Sequence, residues 1–449
     1  MILLAINWSE VGVKAAEFIV SFSIIVVLHE LGHFLPAKWF KCRVEKFYLF
    51  FNPWFSLVKK KVGETEYGLG WVPFGGYVKI SGMIDESMDK DSMKLPPKPY
   101  EFRSKPAWQR LIIMIGGVTV NLLLGIFLYA MILWHYGDKY VPASGLKYGI
   151  AADSLARSIG FKSGDHVVSI DGKPVKDFNR IWVELIIHNV KSIEVERNGK
   201  AVNIPVPQDF SRQLIHFKDV RFISARFPFN EIDTVIKGSA ADKAGLIKHD
   251  KVISVNDIAT PFYDIFQEEI PKNRSKEVTL AVVRGTDTLS KKAMIPAEGT
   301  LGISAHALKD VMKYDTVRYT FLNAIPAGLD KSIQTLQDNW LQLKLLFSKK
   351  VKTSESLGSV ISIGKMYPGE WNWEAVWTLT AFFSLVLALM NILPIPALDG
   401  GHAMFTLYEM ITGRKPSDKF IEYAQMVGMI LLLGITAYAL GLDIFRLFK

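Results

Sequence analysis

The stretch that decides the fold is Phe18-Ile19-Val20-Ser21-Phe22-Ser23-Ile24-Ile25-Val26-Val27-Leu28-His29-Glu30-Leu31-Gly32-His33-Phe34-Leu35-Pro36-Ala37. It is long and apolar enough to cross a membrane as a helix, and its only ionisable side chains are those of His29, Glu30 and His33. A helix places residues i and i+4 on one face, so the two histidines can hold one zinc ion, with Glu30 beside them as a general base. Because ionisable groups at such depth by default indicate function, we expect a hydrolase that acts within the bilayer. The alternative is a buried histidine pair that bonds to neighbouring helices.

Four stretches in all are predicted to span a membrane, because each is long, apolar and nearly free of charge. They cover residues 15–37, 111–134, 375–398 and 423–442. With 449 residues, 49% of them hydrophobic, the chain is too long for one domain and too apolar for an ordinary soluble protein. No basic segment followed by a small-residue cleavage site is found at the N-terminus, so we expect the first span to be retained. The single cysteine, Cys42, excludes an intrachain disulfide.

Basic residues are concentrated in the segments between the first and second spans and between the third and fourth spans. The former contains Lys59-Lys60-Lys61, and the latter contains Arg414, Lys415 and Lys419. By the positive-inside rule both segments face the cytoplasm, so the termini and the long middle segment lie on the opposite side. The net charge of +9 is then explained by topology and by contact with anionic lipid, and we expect no nucleic-acid partner.

The middle segment has the composition of a soluble α+β protein and contains an internal repeat with an offset of 85 residues. Residues 160–172 match residues 245–257. Each copy is predicted to form a helix end, a tight turn, a buried strand and a second turn. A further strand is predicted in each copy, over residues 192–196 and 278–283.

This repeated pattern resembles a pair of PDZ domains, which can bind an extended peptide as an added strand. The alternative is that the two domains are spacers or plugs that bind no peptide. In the second copy His249 replaces the turn glycine, Gly164, which makes a turn of positive φ less favourable there.

An amphipathic helix is predicted after the second copy, because apolar residues recur at steps of three and four. The stripe consists of Phe321, Ile325, Leu329, Ile333, Leu336, Trp340, Leu343 and Phe347. Pro326 and Gly328 predict a break in this helix. We expect it to pack on the PDZ-like pair or to lie at the membrane surface.

The third span ends in a segment that breaks a helix and supplies a carboxylate, Asn391-Ile392-Leu393-Pro394-Ile395-Pro396-Ala397-Leu398-Asp399-Gly400-Gly401-His402. Irregular backbone at membrane depth requires surrounding protein or a water-filled cavity. Catalytic zinc usually has three protein ligands and one open position for water. Asp399 is the best candidate for the third ligand and His402 is its rival. The alternative role for Asp399 is to cap a turn.

The HELGH sequence of the first span and Asn-x-x-Pro-x-Pro-x-Leu-Asp-Gly-Gly in the third together resemble the site-2 protease family of intramembrane metalloproteases. With two PDZ-like domains between the second and third spans, the chain is similar to the regulator-of-sigma-E protease type of that family. The resemblance implies that His29, His33 and Asp399 bind one zinc ion and that Glu30 is the catalytic base. It also implies that Asn391 acts in catalysis and holds the substrate or its developing oxyanion.

The resemblance further implies contacts with substrate. Gly75-Gly76, between apolar and aromatic runs, predicts a β-hairpin, whose equivalent in the family dips into the membrane and offers an edge strand to substrate. Gly75, Gly76 and Tyr77 are therefore expected to bind substrate; the alternative is an interfacial aromatic loop. Gly117-Val118-Thr119-Val120-Asn121 matches the family's GxxxN motif, so Asn121 is expected to bind substrate too, and the alternative is small-residue helix packing.

The predicted fold class is a multi-domain membrane protein. It has a four-helix transmembrane α core with a membrane-associated β-hairpin, two tandem extracytoplasmic PDZ-like α/β domains and an amphipathic helical segment. The predicted boundaries are residues 1–140 for the first two spans with their cytoplasmic loop, 141–222 and 223–308 for the PDZ-like domains, 309–370 for the helical connector and 371–449 for the last two spans.

By resemblance, the function is that of a zinc metalloendopeptidase in regulated intramembrane proteolysis. It would cleave transmembrane segments of single-pass membrane proteins that have already been trimmed, of the anti-sigma-factor or remnant-signal-peptide type. The expected location is the bacterial inner membrane, with the active site nearer the cytoplasmic side. Membrane lipid, and a peptide or chain terminus at the PDZ-like domains, are the further partners expected.

Two functions of other classes are alternatives. A non-enzymatic membrane scaffold would recruit peptides through the PDZ-like pair and keep a degenerate metal site, but His29, Glu30, His33 and Asp399 are all intact. A metal transporter would place ionisable residues along several spans, whereas the second and fourth predicted spans contain no charged residue.

Overall fold

The computed structural model of the protein describes residues 7–83, 96–216, 222–229, 231–305, 314–346 and 358–447. The chain divides into two compact units. One is continuous, Lys139–Val317, and the other combines Met1–Asp138 with Arg318–Lys449. Each unit contains its own buried apolar clusters. The finer domain boundaries given above stay predictions.

Four helices in the described residues are long and apolar enough to cross a membrane, which confirms the four predicted spans. Helices and strands are numbered here in chain order. The first part of the chain contains α1 (Trp8–Trp39), β1 (Val44–Phe51), β2 (Val58–Val62), β3 (Thr65–Leu69), β4 (Val72–Ile80), a short 3₁₀ helix (Phe102–Ser104) and α2 (Ala107–His135).

The first span, α1, is a helix of 32 residues whose apolar side chains cover most of its circumference, as expected for a helix within a membrane. At its N-terminus the side chain of Asn7 accepts a hydrogen bond from the backbone N–H of Glu10, at 3.4 Å. This bond satisfies one of the free donors of the first turn. Where α1 crosses α2, a Cβ atom on Gly32 would lie 2.5 Å from the carbonyl oxygen of Gly116. The two helices therefore meet backbone to backbone, as small residues allow in membranes.

The segment between α1 and α2 forms a four-stranded sheet in the order β2-β3-β1-β4. Strands β1 and β3 are parallel, whereas the β1–β4 and β2–β3 pairs are antiparallel. Among the strands that the structure describes, β4 pairs only with β1 and so lies at an edge of the sheet.

The predicted hairpin turn at Gly75-Gly76 is wrong, because both glycines lie inside β4. The register of β4 against β1 shifts between Leu49 and Phe51, and Gly75 has φ +143° at this irregularity. Glycine serves a β-bulge as readily as a turn, so the dipeptide alone does not distinguish the two. The observed hairpin joins β2 to β3 and turns at Gly63.

The continuous unit contains two modules that follow one another along the chain, with buried apolar clusters within residues 141–225 and 229–305. Their elements, with the strands at each end of the unit, are β5 (Asp138–Tyr140), a 3₁₀ helix (Ala143–Gly145), β6 (Ile150–Ala152), α3 (Ser154–Ser158), β7 (His166–Ile170), β8 (Lys173–Pro174), α4 (Arg180–Ile187), β9 (Ser192–Arg197), β10 (Lys200–Pro205), α5 (Phe210–His216), β11 (Ile223–Ala225), β12 (Ile232–Val235), α6 (Ala240–Lys243), β13 (Lys251–Val255), β14 (Ile258–Ala259), α7 (Tyr263–Lys272), β15 (Glu277–Arg284), β16 (Asp287–Met294), β17 (Ile303–Ala305) and β18 (Asp315–Val317).

The two modules have the same sheet topology. The main sheet of the first has the order β8-β7-β9-β10, and that of the second has the order β14-β13-β15-β16. The strands of the two sheets are therefore equivalent in this order. The strands predicted over residues 192–196 and 278–283 are confirmed as β9 and β15. The sequence repeat is therefore a structural repeat, and the assignment of both modules as PDZ domains stays a prediction.

Each module contains an equivalent ion pair between a buried aspartate and a partly exposed arginine. The side chains of Asp165 and Asp250 are 0% exposed. Arg197 donates two hydrogen bonds to Asp165, each of 2.7 Å, and Arg284 donates two to Asp250, each of 2.8 Å. In each module a third bond, of 2.7 Å, runs from the arginine to a backbone carbonyl. The arginines lie outside the stretch of sequence in which the repeat is recognisable.

The turn before β13 keeps a left-handed conformation although it lacks a glycine. His249 has φ +70°, where Gly164 in the first module has φ +99°. The carboxylate of Asp250 accepts a hydrogen bond from the backbone N–H of Ile247, at 2.9 Å, which stabilises the turn. Burial raises the pKa of Asp250, but hydrogen bonds from Arg284 and from this N–H hold it below its ordinary value.

The last part of the chain contains α8 (Phe321–Leu346), α9 (Val360–Gly364), α10 (Trp373–Ile392), α11 (Asp399–Thr412) and α12 (Asp418–Leu447). The predicted break in the amphipathic helix is wrong, because α8 continues through Pro326 and Gly328. Pro326 lies near the start of the helix, where its missing N–H costs a single intrahelical bond. Phe347, the last residue of the predicted stripe, lies outside the described residues.

Helix α8 packs against α2, a contact that the sequence did not predict. A Cβ atom on Gly328 would lie 2.5 Å from the backbone nitrogen of Ala130, so this glycine allows a close approach. Near one end of the contact, Lys331 forms a 2.5 Å ion pair with Asp138. The buried residues of this face are Ala324, Gly328 and Ser332, whereas five residues of the apolar stripe stay 41–49% exposed: Phe321, Ile325, Leu329, Ile333 and Trp340.

The third span is shorter than predicted, since α10 ends at Ile392 and not at residue 398. Pro394 and Pro396 have no N–H group with which to continue the helix. The chain is irregular from residue 393 to residue 398, and α11 then begins at Asp399. The predicted disruption by the two prolines is confirmed.

Replacing Arg197 by Met is expected to lower the free energy of unfolding of the first module by about 3–5 kcal/mol, because the buried carboxylate of Asp165 would lose its partner. Amide hydrogen exchange of β7 and β9 in the full-length protein measures this change. Replacing Arg180, which forms a half-exposed i, i+4 pair with Glu184, is the control and should change it by less than about 0.5 kcal/mol. Equal exchange in the two variants would contradict the prediction.

Candidate metal centre

His29 and His33 lie one helical turn apart on α1 and meet Asp399, the first residue of α11. Their Nε2 atoms are 3.4 Å apart, and each lies 3.3 Å from Oδ2 of Asp399. Both imidazoles are buried and the aspartate is half-buried. The structure thus brings together the three residues that the sequence predicts as ligands.

Glycine on α2 provides the space for the two imidazole rings. A Cβ atom on Gly117 would collide with Nε2 of His33 and would lie 2.6 Å from Cε1 of His29. Gly116, the preceding residue, forms the close crossing with Gly32. Consecutive glycines therefore bring the helices together and keep room for the rings between them.

The other nitrogen of each imidazole also has a partner on α2. Nδ1 of His33 donates a hydrogen bond to the carbonyl oxygen of Ile113, at 2.8 Å. This bond needs the proton on Nδ1, so the lone pair of the neutral ring lies on Nε2, toward Asp399. Nδ1 of His29 lies 3.2 Å from the side-chain amide of Asn121. The amide nitrogen of Asn391 lies 3.3 Å from Nε2 of His29, so Asn391 is beside the three candidate ligands.

The loop before Asp399 folds back closely over the start of α11. Ala397 has φ +76°, an uncommon conformation for a residue with a side chain. A Cβ atom on Gly400 would lie 2.6 Å from the carbonyl oxygen of Ile392, and one on Gly401 would be equally close to the loop backbone. The two glycines after Asp399 are therefore required by the close approach of this loop.

Asp399 does not cap its helix. The N-cap residue of α11 is Leu398, which makes no side-chain capping bond. The carboxylate of Asp399 faces the histidine pair, and the N-terminal end of a helix favours a negative charge at this position. The alternative role of a turn-capping aspartate is not supported.

The three side chains fit a zinc ion. Oδ2 of Asp399 is buried and forms no hydrogen bond within the described part of the chain, an arrangement that is costly unless another positive group faces it. Ligand atoms about 2.0–2.1 Å from a tetrahedral zinc ion are about 3.3 Å apart, which matches the 3.3 and 3.4 Å measured here. Two imidazoles and one carboxylate also leave a fourth position for water.

His402, the rival candidate for the third ligand, is not brought to this cluster. It lies on α11 one turn after Asp399, and its Nε2 atom is 2.5 Å from the side-chain nitrogen of Gln425 on α12. The structure therefore favours Asp399 as the third ligand.

A cavity of about 410 Å³ opens beside the three residues, a volume within the range typical of small-molecule sites. Glu30 lines it together with His29, His33 and Asp399. Four methionines that no sequence motif indicated complete much of the apolar wall: Met83, Met114, Met426 and Met429. They come from three separate parts of the chain, so no local pattern could have identified them. Methionine side chains adapt their shape to a variable partner.

The edge strand β4 forms another wall of this cavity through residues 76–80. A Cβ atom on Gly76 would lie 2.7 Å from the carbonyl oxygen of Tyr48 and 3.5 Å from Cγ of Glu30, so the strand passes close to the predicted base. Tyr77 also lines the cavity. Gly75 lies in the adjoining bulge against the ring of Phe51.

Asn121 differs from the other predicted substrate-binding residues. It is 0% exposed, and its side chain contacts the imidazole of His29. Its placement does not support the predicted contact with substrate.

Four membrane spans with a buried centre of two histidines and one carboxylate beside a cavity define a membrane-embedded metallohydrolase site. The family model "Peptidase family M50" matches residues 17–435 of the chain. The chain is 28% identical to the regulator of sigma E protease of Haemophilus influenzae, over 96% of this chain and 98% of that protein. It is also 28% identical to the regulator of sigma-E protease RseP of Escherichia coli, with the same coverage. A putative zinc metalloprotease of Campylobacter jejuni is 26% identical over 100% of this chain and 97% of its own length.

The chain belongs to peptidase family M50, the site-2 protease family. It is therefore a metalloprotease of the membrane, and the predicted family resemblance is confirmed.

Replacing Gly117 by Ala is expected to abolish zinc binding, because the added methyl group would occupy the space of the His29 and His33 rings. The zinc content of the purified protein measures this effect. The control is Gly12→Ala on α1, the helix of the two histidines, where the methyl group would meet nothing within 4 Å. The control should keep its zinc. A Gly117→Ala protein with a wild-type zinc content would contradict this account of the centre.

Proposed function

We propose that this protein is an intramembrane zinc metalloendopeptidase that cleaves transmembrane segments of single-pass membrane proteins. The observation that carries the proposal is the triangle of 3.3–3.4 Å between the ligand atoms of His29, His33 and Asp399. Glu30 and the edge of β4 line the cavity beside this triangle. Membership of a peptidase family supplies the class of reaction.

The cofactor is zinc. His29, His33 and Asp399 would hold the ion as its three protein ligands, with Glu30 adjacent. When bound, the ion supplies electrophilic activation of the scissile carbonyl group and of the attacking water.

Glu30 is the general base of the proposed reaction. Its carboxylate takes a proton from the attacking water and then donates it to the leaving amine. Glu30 directly follows His29 on α1 and lines the same cavity, beside the three candidate ligands. Strand β4 runs beside it, since a Cβ atom on Gly76 would be 3.5 Å from Cγ of Glu30, an ordinary contact distance.

Asn391 supports the proposed reaction as a hydrogen-bond donor. Its amide nitrogen lies 3.3 Å from Nε2 of His29, at the last turn of α10. There it can donate to the substrate carbonyl oxygen as negative charge develops on it.

The edge strand β4 would bind the substrate in an extended form. A transmembrane helix hides its peptide carbonyls in its own hydrogen bonds, so it must unwind before water can attack. In the membrane the freed backbone groups need new partners. An added strand along β4 would satisfy them and would place the peptide along the same cavity as Glu30.

The substrates and location follow from topology and family. We place the protein in the bacterial inner membrane, because the segments rich in Lys and Arg between the first and second spans and between the third and fourth favour the cytoplasmic side. The two modules of Lys139–Val317 then lie on the outer side and act as PDZ-like domains that screen substrates or bind a newly made chain end. Substrates whose outer domains have already been trimmed fit this arrangement.

Replacing Glu30 by Gln is expected to lower the cleavage rate of a purified single-pass substrate by roughly 10²–10⁴-fold, since the general base is lost. Zinc content should stay at the wild-type level, because the ligands are unchanged. Glu10→Gln, in the first turn of the same helix, where the half-exposed carboxylate pairs with Lys14, is the control and should cleave normally. Cleavage by Glu30→Gln at the wild-type rate would refute the role given to Glu30.

A photo-cross-linking amino acid in place of Val78 on β4 is expected to capture a single-pass substrate when the protein also carries Glu30→Gln. The same amino acid in place of Val58, on the opposite edge strand β2, is the matched control and should not capture it. The cross-linked peptides are identified by mass spectrometry. Equal capture at both edges would argue against β4 as the substrate-binding strand.

A further inference from the structure

One face of α2 contacts both histidines through residues one helical turn apart. Ile113, Gly117 and Asn121 are spaced four residues apart, so they lie along one side of the helix. The carbonyl of Ile113 binds Nδ1 of His33, Gly117 lies under both rings, and the amide of Asn121 reaches Nδ1 of His29. This face of α2 therefore offers one hydrogen-bonding group to each imidazole, and the glycine between the two groups leaves space for the rings.

A third helix contacts the backbone of Asn121. Its own backbone carbonyl accepts a 2.7 Å hydrogen bond from the hydroxyl of Ser384 on α10. Asn121 is 0% exposed, and its Oδ1 atom has no hydrogen-bond partner among the described residues when Nδ2 faces His29. The two ends of an amide side chain are assigned from the hydrogen bonds they make, so the tautomer of His29 decides which end faces it.

A neutral imidazole has one N–H group and one lone pair. If Nε2 of His29 is to face a cation, its lone pair must lie there and its proton must lie on Nδ1. That proton then needs an acceptor, which Oδ1 of Asn121 provides when the amide is turned toward it. His33 is held in the same way by the carbonyl of Ile113.

We infer that Asn121 is a positioning residue for the metal centre, which accepts a hydrogen bond from Nδ1 of His29 and so directs the lone pair of Nε2 toward the ion. This inference rests on the proposed function. Both residues of the Gly117–Asn121 motif would then serve the metal centre. The glycine makes room for the rings, and the asparagine orients one of them. Partners of this kind typically change metal affinity by about 10–100-fold when removed.

The test compares zinc affinity in three full-length variants, measured by competition with a chelator in detergent solution. Asn121→Leu keeps the approximate volume but removes the acceptor, and it should weaken zinc binding by about 10–100-fold. Asn121→Asp keeps an acceptor oxygen at the same position, and it should bind zinc within a few-fold of the wild type. Ser384→Ala removes only the contact that α10 makes with the backbone of Asn121, and it should also bind as the wild type does.

The outcomes separate this inference from the proposed function. Wild-type affinity in Asn121→Leu would overturn the inference, and so would an Asn121→Asp protein as weak as Asn121→Leu, because Asn121 would then be a hydrogen-bond donor or only a packing residue. Loss of affinity in Ser384→Ala equal to that in Asn121→Leu would also overturn it, in favour of general loosening of the helices. Wild-type protein that binds no zinc would overturn the proposed function and this inference with it.

Discussion

The candidate metal centre depends on how closely the backbones of α1 and α2 approach. Lipid offers no hydrophobic driving force for helix association, so such contacts rely on small residues and close packing. Gly32 and Gly116 meet with no side chain between them, and the next residue, Gly117, lies under the imidazoles. A wider spacing would remove the backbone carbonyl that orients His33, and a larger residue would fill the space that the rings need.

Polar contacts hold the first span to the third in a different manner. Glu17 is 0% exposed and accepts a 2.8 Å hydrogen bond from the backbone N–H of Asn372, just before α10. Further along the two helices, the hydroxyl of Thr380 donates to that of Ser21, at 2.8 Å. Buried polar groups of a membrane helix generally face protein and not lipid. These bonds fix α10 against α1 and so help to place Asn391 and Asp399 beside the histidines.

The sequence predicted those parts of the protein that have a strong local signal. The spans follow from long apolar runs, and the histidine pair follows from helical spacing. Asp399 was identified from its motif after two prolines. The prediction of a hairpin turn at Gly75 was wrong because glycine suits both a turn and a β-bulge. The sequence did not predict contacts between distant segments, such as α8 on α2, the methionine wall of the cavity and the side chain of Asn121 on His29, because these depend on packing that no local pattern records.

Because α10 ends at Ile392, before the end of the predicted span, its C-terminus bears on how water reaches the centre. The helix has 20 residues, about 30 Å in length, which is just enough for the hydrocarbon core. Beyond it the irregular loop and α11 begin, and the polar side chains of His402, Glu422 and Gln425 line the cavity there. Hydrolysis consumes one solvent molecule for each bond broken. Because polar side chains line this end of the cavity, the proposed reaction would draw that molecule from here and not through the apolar wall.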